Sequence, residues 1–237
     1  MLFTTKGIVL HAIKYGETSI ITEIYTEIKG MTGFIVSGVR QPHAKLSAGS
    51  VQSLSLVELV AYDNPKGLCR VKEMRLQYVY HDIPFNVIKS GIGMFMAEII
   101  KYTIREKEEN AALFNFLYTQ FIELDTVKKN YANTPIFFLF QLSRYLGFSP
   151  QSEGYSDGFV FNLTEGRFFD AQFCNADCLL PEESKIWHTM LGIAPDELKI
   201  SAQERRMLID GLLKYYKYHI ENFPEINSLR ILRELWS

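Results

Sequence analysis

The first third of the chain follows the two-residue rhythm of strands. Lys6-Gly7-Ile8-Val9-Leu10-His11-Ala12-Ile13-Lys14 is an almost unbroken aliphatic run that stops at Tyr15-Gly16-Glu17-Thr18. Residues 19–26 resume it until Lys29-Gly30, and Phe34-Ile35-Val36 follows, so three strands joined by glycine turns are predicted. Gln41-Pro42-His43-Ala44-Lys45 is polar and carries a proline, the mark of a loop. Residues 52–62 partly alternate, as a half-buried strand does. Asp63-Asn64-Pro65-Lys66-Gly67 is a turn, after which residues 68–80 return to strand with Arg70 and Lys72 on one side of the pleat. Short strands joined this way suggest a small closed barrel, and five is the strand count of the OB-fold.

His81-Asp82-Ile83-Pro84 punctuates the chain, and the period then changes. Ile88, Ile92, Phe95, Met96 and Ile99 fall at helical spacings, as do Leu113, Leu117, Phe121 and Leu124. Asn133-Thr134-Pro135 is a helix start and Gly147 a stop. Around residues 158–171, Phe159-Val160-Phe161-Asn162-Leu163 and Arg167-Phe168-Phe169 flank a Thr-Glu-Gly turn and read as a hairpin. Helices follow near 181–190, from the capping box Ser201-Ala202-Gln203-Glu204 to about 222, and over 227–235. The expected architecture is α+β. A five-stranded OB-fold barrel over residues 1–81 precedes an α-helical domain over 82–237 with a small hairpin inserted.

Charge adds an asymmetry that the whole chain conceals. The net charge of 237 residues is −2, yet residues 1–80 hold nine Lys and Arg against six acids, and the rest sixteen against twenty-one. A basic first third points to a polyanion-facing module, and an acidic remainder to a different partner. No signal peptide and no membrane-spanning apolar run is evident, and three cysteines without a secreted framework fit a reducing cytoplasm.

Catalytic chemistry finds little footing. Gly154-Tyr155-Ser156-Asp157-Gly158 matches the hydrolase nucleophile elbow in letters, but a polar loop precedes it and a strand follows, the reverse of that elbow's strand-turn-helix setting. No phosphate loop and no His-Glu-x2-His is present, the five histidines are scattered, and Glu98 reads as a helix-seam carboxylate. Cys174 and Cys178 with His188 do not complete a tetrahedral set, so two unpaired thiols and no metal or cofactor are expected. What remains is basic and aromatic residues on a barrel. Lys14 and Tyr15 end a strand, Arg40 and Lys45 flank a loop, and Arg70, Lys72 and Arg75 line the fifth strand, the ingredients of single-strand binding by phosphate tracking and base stacking. On these residues alone, an OB-fold RNA-binding protein or a protein-binding adaptor without DNA activity stays open.

The opening strands with the Tyr15-Gly16-Glu17 turn, then Gly30-Met31-Thr32-Gly33, Ser37-Gly38-Val39-Arg40 and Lys45-Leu46, resemble the amino-terminal domain of the RecO family of bacterial recombination mediators. Later marks continue the resemblance: Glu98, Leu113-Phe114, Leu146-Gly147-Phe148-Ser149-Pro150 and Ser228-Leu229-Arg230-Ile231-Leu232-Arg233. Many members carry a four-cysteine zinc site that this sequence does not supply, so it is similar to the zinc-free members. The resemblance implies a non-enzymatic, cytoplasmic, nucleoid-associated protein that binds single- and double-stranded DNA and anneals complementary strands. With RecR, it helps load the RecA recombinase onto strands coated by single-stranded DNA-binding protein, in the RecF pathway. It makes Arg40 and Lys45 the leading DNA contacts, since they fall in the family's Gly-x-Arg and basic loop. It also implies a groove for the acidic, Phe-ended tail of single-stranded DNA-binding protein, for which Lys101, Arg105 and Arg144 are candidates.

Overall fold

The computed structural model describes residues 1–39, 48–174, 177–195 and 197–236. The chain divides into two compact units, Met1–Thr126 and Val127–Ser237. In the first, β1 (Leu2–Tyr15), β2 (Ser19–Thr26), β3 (Gly30–Val36), β4 (Leu56–Tyr62) and β5 (Cys69–Tyr78) close a barrel in the order β1-β2-β3-β5-β4. β1 begins four residues before the aliphatic run, because Leu2 to Thr5 pair with β4 at Tyr62 to Leu59. One strand therefore serves two neighbours: it pairs with β4 over its first half and with β2 over its second. A register shift between Val9 and His11 supplies the bend this requires. β3 and β5 run parallel and close the barrel at Phe34–Cys69 and Ile35–Arg70.

Alternation fills the interior with Val9, Ile24, Phe34, Val57, Leu59 and Val71, all buried. The expected strand over 52–62 starts only at Leu56: a 3-10 turn at Ala48–Val51 precedes it, and Leu54 has a positive φ of 75°. Leu54 N–H bonds to the Val9 carbonyl at 2.7 Å, so this segment plugs the barrel instead of extending its wall.

Two helices, α1 (Val87–Thr103) and α2 (Ala111–Thr126), belong to the same unit as the barrel. Asn86 caps α1 by accepting from the N–H groups of Ile88 and Lys89. The β2–β3 turn is covered by the segment after α1. Met31 N–H bonds to Glu106 O at 2.9 Å, and a Cβ on Gly30 (φ +55°) would stand 2.4 Å from that same oxygen, so only glycine fits. Burial, with the Glu106 charge adding to it, pushes the nearby Tyr25 phenol up to about 12.

A buried polar knot ties β5 to both helices. The Asp125 carboxylate accepts from the Tyr78 hydroxyl at 3.0 Å and from the backbone N–H groups of His81, Asp82 and Ile83 at 2.8–2.9 Å. Lys89, wholly inaccessible, donates to the Asp125 carbonyl at 2.9 Å and pairs with Asp82 at 2.8 Å. Burial pushes the Asp125 carboxyl up, but the backbone donors and the Tyr78 hydroxyl outweigh it and hold the group below its usual value.

The second unit holds α3 (Thr134–Tyr145), a hairpin of β6 (Phe159–Asn162) and β7 (Arg167–Asp170), α4 (Pro181–Leu191), α5 (Ala202–His219) and α6 (Ser228–Leu235). Its core is aromatic: Trp187 stacks on Phe161 at 4.9 Å and meets Phe140 edge-on at 5.1 Å. Tyr215 and Tyr216 are buried but satisfied, donating to the carbonyls of Phe148 and Leu139 at 2.6 and 2.7 Å. Both predicted helix starts are present, with Pro135 in the first turn of α3 and the Ser201–Glu204 box on α5.

The expectation of unpaired thiols does not hold. Asp177 and Leu179 bond to Leu163 and Phe161 and add a short third segment to β6, which folds Cys178 back until its sulfur meets that of Cys174, with the Cα atoms 6.5 Å apart. Cys69 is free and buried. Ser156 lies in a turn, its carbonyl accepting from Phe159 N–H at 2.9 Å, with β6 and no helix after it. No helix among the described residues is long and apolar enough to cross a membrane.

Candidate nucleic-acid interface

Strand register sorts the seven barrel residues singled out above. Arg40 and Lys45 lie outside the described residues. Arg75 is already occupied: its guanidinium holds the Glu58 carboxylate at 2.5–2.8 Å, directly across the ladder, and Lys6 faces Glu58 from the other side. Lys72 is the extra residue of a bulge opposite Val60 and Ala61, and it stands 3.5 Å from Glu73. Arg70, Lys14 and Tyr15 are exposed and make no ion pair among the described residues.

Arg70 stands in a specific band. Cross-strand partners run Leu2–Tyr62–Arg70 on one side and Arg70–Ile35–Ile21–Ile13 on the other, a course that circles the barrel from one end of β1 to the other. The adjacent rung, Ala12–Thr22–Phe34–Cys69, points inward, so the Arg70 band points out. Leu2, Tyr62 and Ile13 are 45–48% exposed, and Tyr15, two residues on from Ile13, is 55% exposed. Leu68 adds to this surface by lying over Gly33, whose missing Cβ leaves the room: its Cδ2 would be 2.7 Å from one. Lys14 emerges on the opposite side of β1 from Ile13 and Tyr15.

The result is an apolar, partly aromatic strip with an unpaired guanidinium in its middle and a lysine at its end. Such a surface can stack bases and hold phosphates without any buried acid to oppose them. One acid bounds it: Glu23, beside His11 on β2, is neutralised by Lys101 of α1 at 3.1 Å. That ion pair places Lys101 at the barrel wall. Arg105 follows α1 and is exposed. Tyr62 is the residue the sequence reading missed. Its signal was the Asp63–Gly67 turn, which sets Tyr62 across from the start of β5, but the partner depends on a bulge that no local pattern announces.

Arg144 belongs to the other unit, so the three tail-binding candidates are not one cluster within either unit. It stands at the edge of a groove of about 320 Å³ between α3 and α4, with Phe137, Phe140, Met190 and Ile193 among the walls. Arg144 is exposed and makes no ion pair among the described residues. Among those residues no group of three or more His, Cys, Asp or Glu side chains is placed to hold a metal ion.

Comparison with known proteins accounts for both units. The family model described as "Recombination protein O N terminal" matches residues 1–80, and "Recombination protein O C terminal" matches residues 84–229. Proteins named DNA repair protein RecO are similar over the full length of both chains. The identity is 33% over 241 residues in Phocaeicola vulgatus, 36% over 241 in Christiangramia forsetii and 32% over 242 in Flavobacterium psychrophilum. With a closed five-stranded barrel followed by helices and a small two-stranded sheet, the chain belongs to the RecO family of DNA repair and recombination proteins, which are mediators and not enzymes.

Proposed function

We propose that this protein is a recombination mediator whose barrel, within residues 1–81, binds single- and double-stranded DNA and anneals complementary strands. With RecR, it helps load the RecA recombinase onto strands coated by single-stranded DNA-binding protein, in the RecF pathway, at the nucleoid. The observation that carries the DNA reading is the outward band around Arg70. Annealing requires that two polyanions approach and that their bases stay free to pair, which a shallow strip of cations and rings allows and an enclosed pocket would prevent. Arg70, Lys14, Tyr15 and Tyr62 are assigned to the strand on this reading. Arg40 and Lys45 join them on the strength of the family resemblance, and Lys72 and Arg75 are auxiliary, since neighbouring acids already engage them.

For the tail of single-stranded DNA-binding protein, the groove beside Arg144 supports the assignment best, because it pairs an apolar floor with a rim cation. Lys101 is the weaker candidate, being held by Glu23. The test of the mediator reading is the pairing rate of two complementary labelled oligonucleotides with and without protein. Acceleration that disappears in Arg70→Glu/Lys14→Glu supports it, and an unchanged rate at low salt contradicts it.

A further inference from the structure

A second groove of the helical unit is not used by this reading. It lies between α5, α6 and the segment joining them, has a volume of about 260 Å³, and is floored by Leu213, Phe223 and Ile226. Lys214, Lys217, Arg230 and Arg233 stand along it. Two of these cations are met from inside the groove, Lys217 by Glu225 and Arg233 by Asp210, and Lys214 stands 3.6 Å from Asp177. Arg230 is exposed and makes no ion pair among the described residues.

We propose that this groove docks an acidic peptide segment of a partner protein, with an apolar side chain on the floor and carboxylates on Arg230 and Lys214. The charge pattern selects that occupant. Residues 127–237 carry twelve Lys and Arg against fourteen Asp and Glu, so a groove with four cations and two acids is a basic spot on an acidic surface. A long nucleic-acid chain entering it would run past that acidic surface and meet Asp210 and Glu225. A short peptide avoids the surroundings, and its carboxylates can replace Asp210 and Glu225 as partners of Arg233 and Lys217, both pairs being solvent-exposed and cheap to exchange. The apolar floor gives a phosphate chain nothing, whereas it anchors a Leu or Phe flanked by acids. The volume falls below the roughly 300–1,000 Å³ of sites that enclose small molecules, which fits an anchor and not a whole ligand. Nothing here depends on what the barrel binds.

The test is selection of a random dodecapeptide library on the immobilised full chain, counter-selected on Arg230→Glu/Lys214→Glu, followed by fluorescence anisotropy of a labelled winner. Both substituted residues are exposed, and Arg230→Ala serves as a milder variant if the double reversal disturbs the fold. The expected winners are rich in Asp and Glu around an apolar residue, bind about tenfold or more weakly to the double variant, and bind Arg144→Glu as they bind the wild type. Winners without acidic enrichment, no winner dependent on Arg230 and Lys214, or binding that Arg144→Glu abolishes would each overturn the proposal. So would loss of labelled ten-nucleotide oligothymidylate binding in Arg230→Glu/Lys214→Glu, which would make the groove a phosphate site.

Discussion

The two compact units handle their cations in opposite ways. In the barrel, register decides: Arg75 and Arg70 lie on the same strand, yet one faces Glu58 and is neutralised, while the other faces Tyr62 and Ile35 and stays free. In the helical unit, cations collect where helices meet and leave an apolar trough, around Arg144 and again around Arg230. A strand therefore offers charge as a line along an open surface, which suits a chain molecule, and helix seams offer it as a rim around a pit, which suits a side-chain anchor. A net charge of +3 over the first 80 residues could not separate these cases, because it counts Arg75 and Arg70 alike.

The largest effect expected from breaking this contrast lies in the knot that holds α1 and α2 to the end of β5. Asp125→Ala should cost roughly 3–5 kcal/mol in denaturant unfolding, because it removes a buried, four-times-bonded carboxylate. The pH dependence follows from the same group. Its carboxyl titrates below the usual value in the fold, so its contribution is complete above about 3.9 and is lost as pH falls through the lower folded value. Wild-type unfolding midpoints should fall in that acid window more steeply than those of Asp125→Asn.

Next comes the line of charge on the barrel. Arg70→Glu/Lys14→Glu should weaken single-strand binding roughly 30-fold at about 0.1 M salt, whereas Arg75→Gln should change it about twofold at most. Equal losses in the two variants would show that register does not sort the cations. The stacking rings come third: Tyr62→Ala or Tyr15→Ala should each cost about 1–3 kcal/mol of single-strand affinity and leave the salt dependence unchanged. The smallest effect belongs to the pits, where Arg144→Glu should weaken binding of an acidic, Phe-ended peptide about tenfold without altering DNA affinity. Loss of DNA affinity in that variant would erase the distinction between the units.

What could be read from the sequence was whatever a few neighbouring residues determine. The helix starts at Asn133-Thr134-Pro135 and Ser201–Glu204, the strand breaks at Gly16 and Gly30, and the hairpin near 158–171 are local chemistry, and the structure has each of them. The missed features are set by distant partners. β1 gains Leu2 to Thr5 only because β4 returns to pair with them. Lys89 and Asp125 look like ordinary helix-surface residues until β5 and both helices close over them. Arg75 looked as available as Arg70, and Tyr62 was only the end of a strand. In each case the deciding contact spans a bulge or a turn, and bulges are invisible to a two-residue period.

The most direct test of the central claim, that the Arg70 band carries the DNA strand, is the affinity for a labelled oligothymidylate over a salt series. Wild type, Arg70→Glu/Lys14→Glu and Arg75→Gln would be measured side by side. The account predicts that the log–log slope flattens by about 1.4 in the double variant, two phosphate contacts at about 0.7 each, and keeps its wild-type value in Arg75→Gln. A wild-type slope and affinity in the double variant would contradict it and move the strand off this face of the barrel.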